Sequence, residues 1–184
     1  MGKLAPSFGE KIMERLKKFA ESLDSLDIVP AGEIPLGEDV PDEILGDISC
    51  LHHLCQKMTE ICKQNQGIGL SAVQLGIPLN LFALRMPIPN HGFNNDYCIN
   101  CSYEAQDNDQ IISIEGCLSL PERLFKVPRW KKIYVTGTLL LDDLTTADLS
   151  CCLYGHDMFS LATQHEIDHQ NGILISDIGT EIDP

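Results

Sequence analysis

Asp157-Met158-Phe159-Ser160-Leu161-Ala162-Thr163-Gln164-His165-Glu166-Ile167-Asp168-His169-Gln170-Asn171-Gly172 reads as one helix with both ends marked. Asp157 suits the N-cap, where a carboxylate accepts a backbone N–H, and Gly172 suits the left-handed residue just past the end. Inside it lies His165-Glu166-Ile167-Asp168-His169, an H-E-x-x-H pattern. Histidines four apart on a helix sit one above the other, so both imidazoles can reach one metal ion. Glu166, between them, points near the same place and can take a proton from a water that the ion activates.

Upstream of this helix the pattern is β. Asn80 to Arg85, Tyr97 to Tyr103, Gln110 to Glu115, Lys131 to Leu141 and Leu149 to Tyr154 are short β-rich runs separated by turn residues. Asp142 to Thr146 reads as a hairpin turn. Further upstream the apolar positions return to helical spacing, from Pro41 to about Gln66 and again over residues 7 to 26. Pro41, Asp42 and Glu43 suit the first turn of the former. Between the two, residues 27 to 41 hold three prolines and two glycines and read as loop. Helices at both ends of a run of antiparallel strands define an α+β fold.

The chain has 184 residues, with room for one domain and a real core. The expected organisation is an N-terminal helical extension over 1–26 and a single catalytic domain over 27–184. Thirteen Lys and Arg against 27 Asp and Glu give a net charge of −14, which argues against nucleic acid or an anionic membrane as partner. No apolar run approaches a membrane span, and the N-terminus lacks the apolar core of a signal peptide, so a cytoplasmic address is expected. In that setting the eight cysteines are expected as reduced thiols. Cys98-x-x-Cys101 lacks the second pair that a zinc ribbon needs, and cysteines three apart on a regular strand face opposite sides. His52 and His53 are adjacent on a helix, point about 100° apart, and read as surface residues.

A catalytic metal site needs a third protein ligand. The local sequence matches H-E-x-x-H-x-x-G, but Ile175 stands where a third histidine would follow. Asp177, Glu181 and Asp183 are acidic candidates on a short tail. Cys117, in Ile114-Glu115-Gly116-Cys117-Leu118-Ser119-Leu120-Pro121, is the strongest candidate, since it follows a glycine at the end of a strand. A third stretch, Gln66-Gly67-Ile68-Gly69-Leu70-Ser71-Ala72-Val73-Gln74, places a carboxamide beside a glycine-rich turn.

G-I-G-L-S-A-V-Q, then E-G-C-L-S, then Q-H-E-I-D-H together resemble the three motifs of the peptide deformylase family, in that order, over roughly residues 27 to 178. The resemblance implies antiparallel sheets packed around a central helix that carries the H-E-x-x-H. It implies removal of the formyl group from the N-terminal formyl-methionine of nascent polypeptides, with release of formate. Cys117, His165 and His169 would hold one divalent metal ion, usually Fe2+, with Zn2+, Ni2+ or Co2+ as substitutes. Glu166 would be the general acid and base, and Gln74 and the backbone N–H of Leu118 would bind the oxyanion. Ile68, Gly69, Met158, Leu161 and Ala162 would enclose the methionine side chain. Glu115 and Asp168 would orient ligands or an arginine such as Arg129. The implied partners are formyl-Met nascent chains, met at the ribosome. Ser71 departs from the family's usual alanine, and the C-terminal helix of many bacterial members has no counterpart here. The rival readings are an H-E-x-x-H metallopeptidase, a thiol hydrolase built on Cys117 and His165, and a deformylase-like scaffold without catalysis.

Overall fold

A computed structural model describes residues 27–89 and 91–182. The helix expected over 7–26 and the tail candidate Asp183 lie outside them. The elements in order are α1 (Asp42–Leu45), α2 (Ile48–Gln64), β1 (Gly69–Ser71), β2 (Leu81–Ile88), β3 (Gly92–Ala105), β4 (Gln110–Cys117), β5 (Leu120–Trp130), β6 (Lys132–Leu140), β7 (Thr146–Tyr154), α3 (Met158–Gln170), α4 (Ile175–Ile178) and β8 (Thr180–Ile182). The strands form two sheets, β1-β2-β3-β6-β7 and β4-β5-β8, and every ladder between them is antiparallel. The α+β expectation holds.

The larger sheet is covered on both faces where β2 and β3 cross it. Leu81, Ala83, Tyr97 and Ile99 pack with Leu51, Leu54, Met58 and Ile61 of α2. Phe82, Leu84 and Cys98 pack with Ala162 and Ile167 of α3. Burial on both faces is why β2 begins as an unbroken apolar run, Leu81 to Leu84, instead of alternating. On its other side α3 meets the smaller sheet, through bonds from its side chains to Arg129 and Trp130 of β5. The motif helix is therefore held between two sheets.

Four expectations need correction. The single helix over 41 to 66 is two helices. Gly46 closes α1 with its N–H on the Asp42 carbonyl, and the Asp47 carboxylate then accepts the Cys50 N–H and starts α2. A glycine followed by a capping aspartate outweighs the continuous apolar spacing. The eleven-residue β5 was not expected at all. Pro121 and Pro128 and the charged residues between them break the β pattern, yet Phe125, Val127 and Arg129 alternate inward. Cys98 and Cys101 do not face opposite sides. The β3–β6 ladder shifts register between Ile99 and Ser102, where Asn100 takes φ +50°, and both thiols turn into the cluster beneath α3. Gly137 makes this possible, because a Cβ there would meet the Cys101 sulfur at 2.4 Å. Finally, His52 is half-buried, edge-on to the Tyr97 ring at 5.7 Å, instead of lying on the surface.

The ends of α3 follow the sequence. Asp157 accepts the Phe159 N–H at 3.1 Å. At the other end Gly172 takes φ +72°, its N–H bonds the His169 carbonyl, and the Ile173 N–H bonds the Asp168 carbonyl. These paired bonds are those of a Schellman stop. The hairpin at 142–146 also forms, with the Leu141 N–H on the Thr145 carbonyl at 2.9 Å.

Candidate active site

Cys117 is the last residue of β4, at a register shift in its ladder with β5. The kink leaves its side chain facing α3, where His165 and His169 arrive from successive turns. The Cys117 sulfur lies 3.2 Å from His169 Nε2, which lies 3.2 Å from His165 Nε2. Ligand atoms of all three residues fall within 4.8 Å of one another. Ile175, in place of a third histidine, is instead buried beside Phe125 and Val127. The tail acids that the structure describes are engaged elsewhere: Asp177 accepts the Leu174 N–H, and Glu181 pairs with Arg123.

A chain of charges holds the first imidazole. His165 Nδ1 bonds Glu115 at 2.9 Å. Glu115 takes two bonds from the Arg129 guanidinium, both 2.8 Å. Arg129, almost fully buried on β5, also donates to Asp168. Asp168 accepts the Tyr103 hydroxyl at 3.0 Å. Burial works against the Glu115 charge, but Arg129 and His165 outweigh it and bring its pKa down to about 2. On Asp168 burial wins and the pKa rises, so Glu115 carries the firmer charge. Gln164 pins the same helix to β5, taking the Trp130 N–H at 3.0 Å and donating to the Trp130 carbonyl at 3.2 Å.

The two histidines are tuned apart. Burial opposes a proton on His165, but bonds to Cys117 and Glu115 overcome it and raise its pKa to about 10. Burial and the neighbouring His165 lower His169 to about 3. An imidazole binds a metal ion only when neutral, so an ion held here would displace the proton from His165. One sulfur and two imidazole nitrogens suit a borderline or soft divalent ion such as Fe2+, Zn2+, Co2+ or Ni2+, and not Mg2+ or Ca2+. The His165 Nδ1 bond to Glu115 fixes the ring so that Nε2 faces the common point, the usual arrangement behind a ligating histidine.

Glu166 lies on the other side of His165. It is buried, its Oε2 has no partner among the described residues, and burial raises its pKa to about 7. Gly69 of β1 abuts it so closely that a Cβ there would meet Glu166 Oε1 at 2.3 Å. After β1 a short 3-10 turn, Ala72–Leu75, brings back the Gln74 side chain, whose Oε1 accepts the Ser71 N–H at 3.0 Å. With the oxygen anchored, the amide nitrogen faces the site, 3.6 Å from the Cys117 sulfur and 3.2 Å from the Ser119 hydroxyl.

These groups open into one cavity of about 870 Å³, lined among others by Ile68, Gly69, Gln74, Cys117, Leu118, Met158, Leu161, Ala162, His165 and Glu166. His169 lies beneath it. Of the residues that the resemblance implies for catalysis, metal and substrate, all but His169 line this cavity, and His169 meets it through Cys117 and His165. Sequence reasoning missed Ser119, Tyr103 and Gln164. Ser119 and Gln164 stand inside motifs but had no role read for them, and Tyr103 carries no local signal, since its partner is 65 residues away.

A sulfur and two imidazoles converging beside a buried carboxylate, on a helix clamped between antiparallel sheets, define the metal-dependent hydrolases as the class. A family model described as polypeptide deformylase matches residues 39–183, and the chain belongs to that family. A peptide deformylase of Bartonella henselae is 32% identical over 151 residues, covering 78% of this chain and 82% of that protein. One from Helicobacter pylori is 30% identical over 141 residues, 75% and 77% of the two chains. A crystal structure of a probable peptide deformylase from a Synechococcus phage superposes with a TM-score of 0.72 at 29% identity, covering 84% of this chain and 99% of that one.

Proposed function

We propose that this chain hydrolyses the formyl group from N-terminal formyl-methionine of nascent polypeptides, releasing formate and a free amine. The observation that carries this reading is the convergence of Cys117, His165 and His169 beside an unpaired, buried Glu166 carboxylate. Cys117, His165 and His169 hold one divalent ion, Fe2+ in the native enzyme, with Zn2+, Ni2+ or Co2+ able to replace it. When bound, the ion polarises the formyl carbonyl and makes an attacking water reactive near neutral pH.

The remaining work falls to the chain's own groups. Glu166 takes the proton released by the attacking water on Oε2, and a pKa near 7 lets it hold that proton and give it up at neutral pH. Water adds to the formyl carbon, and negative charge moves to the formyl oxygen. The Gln74 amide and the Leu118 N–H donate to that oxygen. As the C–N bond breaks, Glu166 returns the proton to the departing nitrogen. Water and the formamide are consumed, and formate and the amine appear. Ile68, Gly69, Met158, Leu161 and Ala162 enclose the methionine side chain. Glu115 and Arg129 touch no reacting atom and position His165.

Among the described residues no helix is long and apolar enough to cross a membrane. With the acidic charge and the nature of the substrate, this supports action on nascent chains in the cytoplasm, near the ribosome and without direct binding of nucleic acid. The test is formate release from formyl-Met-Ala by protein purified anaerobically, with its metal content measured. Formate release that tracks the iron content is expected. Full activity in metal-stripped protein would defeat the reading and favour the thiol hydrolase.

A further inference from the structure

The smaller sheet has one face turned to α3 and one turned to solvent. Along β4 the side chains of Ser113, Glu115 and Cys117 point inward, while Ile112 and Ile114 point out, 64% and 65% exposed. Their neighbours on β5 follow from the register. Ile112 pairs with Pro128, Ile114 with Lys126, and Gly116 with Leu124, which is also exposed. Ile182 of β8 pairs with Leu124 and extends the face. None of these outward positions carries a carboxylate, on a chain of net charge −14, and Lys126 is the one charge among them. Contiguous exposed apolar side chains on such an acid-free face mark a binding surface.

This face runs into the reaction cavity, because Ile114, Gly116 and Leu124 line both. The β4 edge on the cavity side is unpaired among the described residues, where β4 has β5 alone as neighbour. An extended chain advances about 3.4 Å per residue and alternates its side chains. With its formyl group at Cys117 and its methionine side chain turned inward, a chain leaving along β4 turns its second and fourth side chains outward. These pass Leu124 and Ile114 first and Ile112 next.

We propose that Ile112, Ile114 and Leu124 form a ledge that receives apolar side chains at the second and fourth positions of the formyl-methionyl chain. It rests on the deformylase reading and adds a preference among its substrates. Nascent chains that begin with formyl-Met followed by Leu, Ile, Val or Phe at those positions are processed faster than chains with Asp or Glu there.

The test uses the full-length, metal-loaded enzyme and three peptides, formyl-Met-Leu-Ala-Leu, formyl-Met-Ala-Ala-Ala and formyl-Met-Asp-Ala-Asp. The leucine peptide should exceed the aspartate peptide about tenfold in kcat/KM, the size expected for partial burial of two leucines. The difference should lie in KM. Ile112→Ser with Ile114→Ser should shrink the ratio severalfold, and Leu144→Ser, in the turn between β6 and β7, should leave it as it is. Equal turnover of all three peptides would overturn the ledge and leave the deformylase reading standing. No turnover of any would remove both. If the double variant leaves the ratio intact, the ledge is overturned, and a dimer that the same variant dissociates would assign the face to a second copy.

Discussion

Two carboxylates flank His165, and they live in opposite surroundings. Glu115 is held by Arg129 and by the imidazole, and its pKa falls to about 2. Glu166 has burial and, among the described residues, no partner for Oε2, and its pKa rises to about 7. The same functional group is fixed as a charge on one side of a histidine and left exchangeable on the other. The difference lies in what reaches each oxygen. Arg129 supplies two donors from β5 to the first, while Gly69 presents bare backbone to the second. In the proposed mechanism, orientation thus falls to a carboxylate on β4 and proton transfer to one on α3.

The comparison can be broken hardest at Glu166. Glu166→Ala should keep its metal and lose activity by up to about 10⁴-fold, the upper range for a general acid and base. Formate release measured beside metal analysis checks this, and unchanged turnover would remove Glu166 from the mechanism. On the paired side, Arg129→Met leaves Glu115 and Asp168 buried without their cation. A loss of roughly 3–5 kcal/mol in stability is expected, read from urea unfolding of the metal-free protein. Gln74→Ala removes one donor to the oxyanion and should lower kcat by about 10²–10³ with KM little changed. Cys117→Ala should lose most of its metal affinity while the fold survives, and full metal occupancy would move the third ligand to another residue. The smallest effect belongs to the helix start. Asp157→Ala should cost about 1 kcal/mol of stability and leave the metal site's affinity as it was.

Much of this was legible in the chain because its signals are local. Asp157, His165, Glu166, His169 and Gly172 share one helix, where spacing translates directly into direction. Gln74 and Cys117 stand within short motifs whose turns the glycines announce. Less legible was whatever depends on a partner far along the chain. Arg129 lies at an inward position of a strand that Pro121 and Pro128 disguise, so its burial shows only once β5 is paired with β4. The turn of Cys101 toward Cys98 depends on a bulge at Asn100 and on the missing side chain of Gly137, thirty-six residues beyond Cys101. The break in the second predicted helix was local, yet it pitted a capping pair against apolar spacing, and the spacing was the louder pattern.

The stop at Gly172 sets the phase of the motif helix as well as its length. Each residue of an α-helix turns by about 100°, so a slip of one position would carry His169 a quarter-turn and more away from Cys117. The bonds from Gly172 and Ile173 to the carbonyls of His169 and Asp168 make such a slip cost two backbone contacts at once. The Asp157 cap opposes the same slip from the other end. The bearing of a metal-facing imidazole is in this way indexed by a glycine that never touches the metal site.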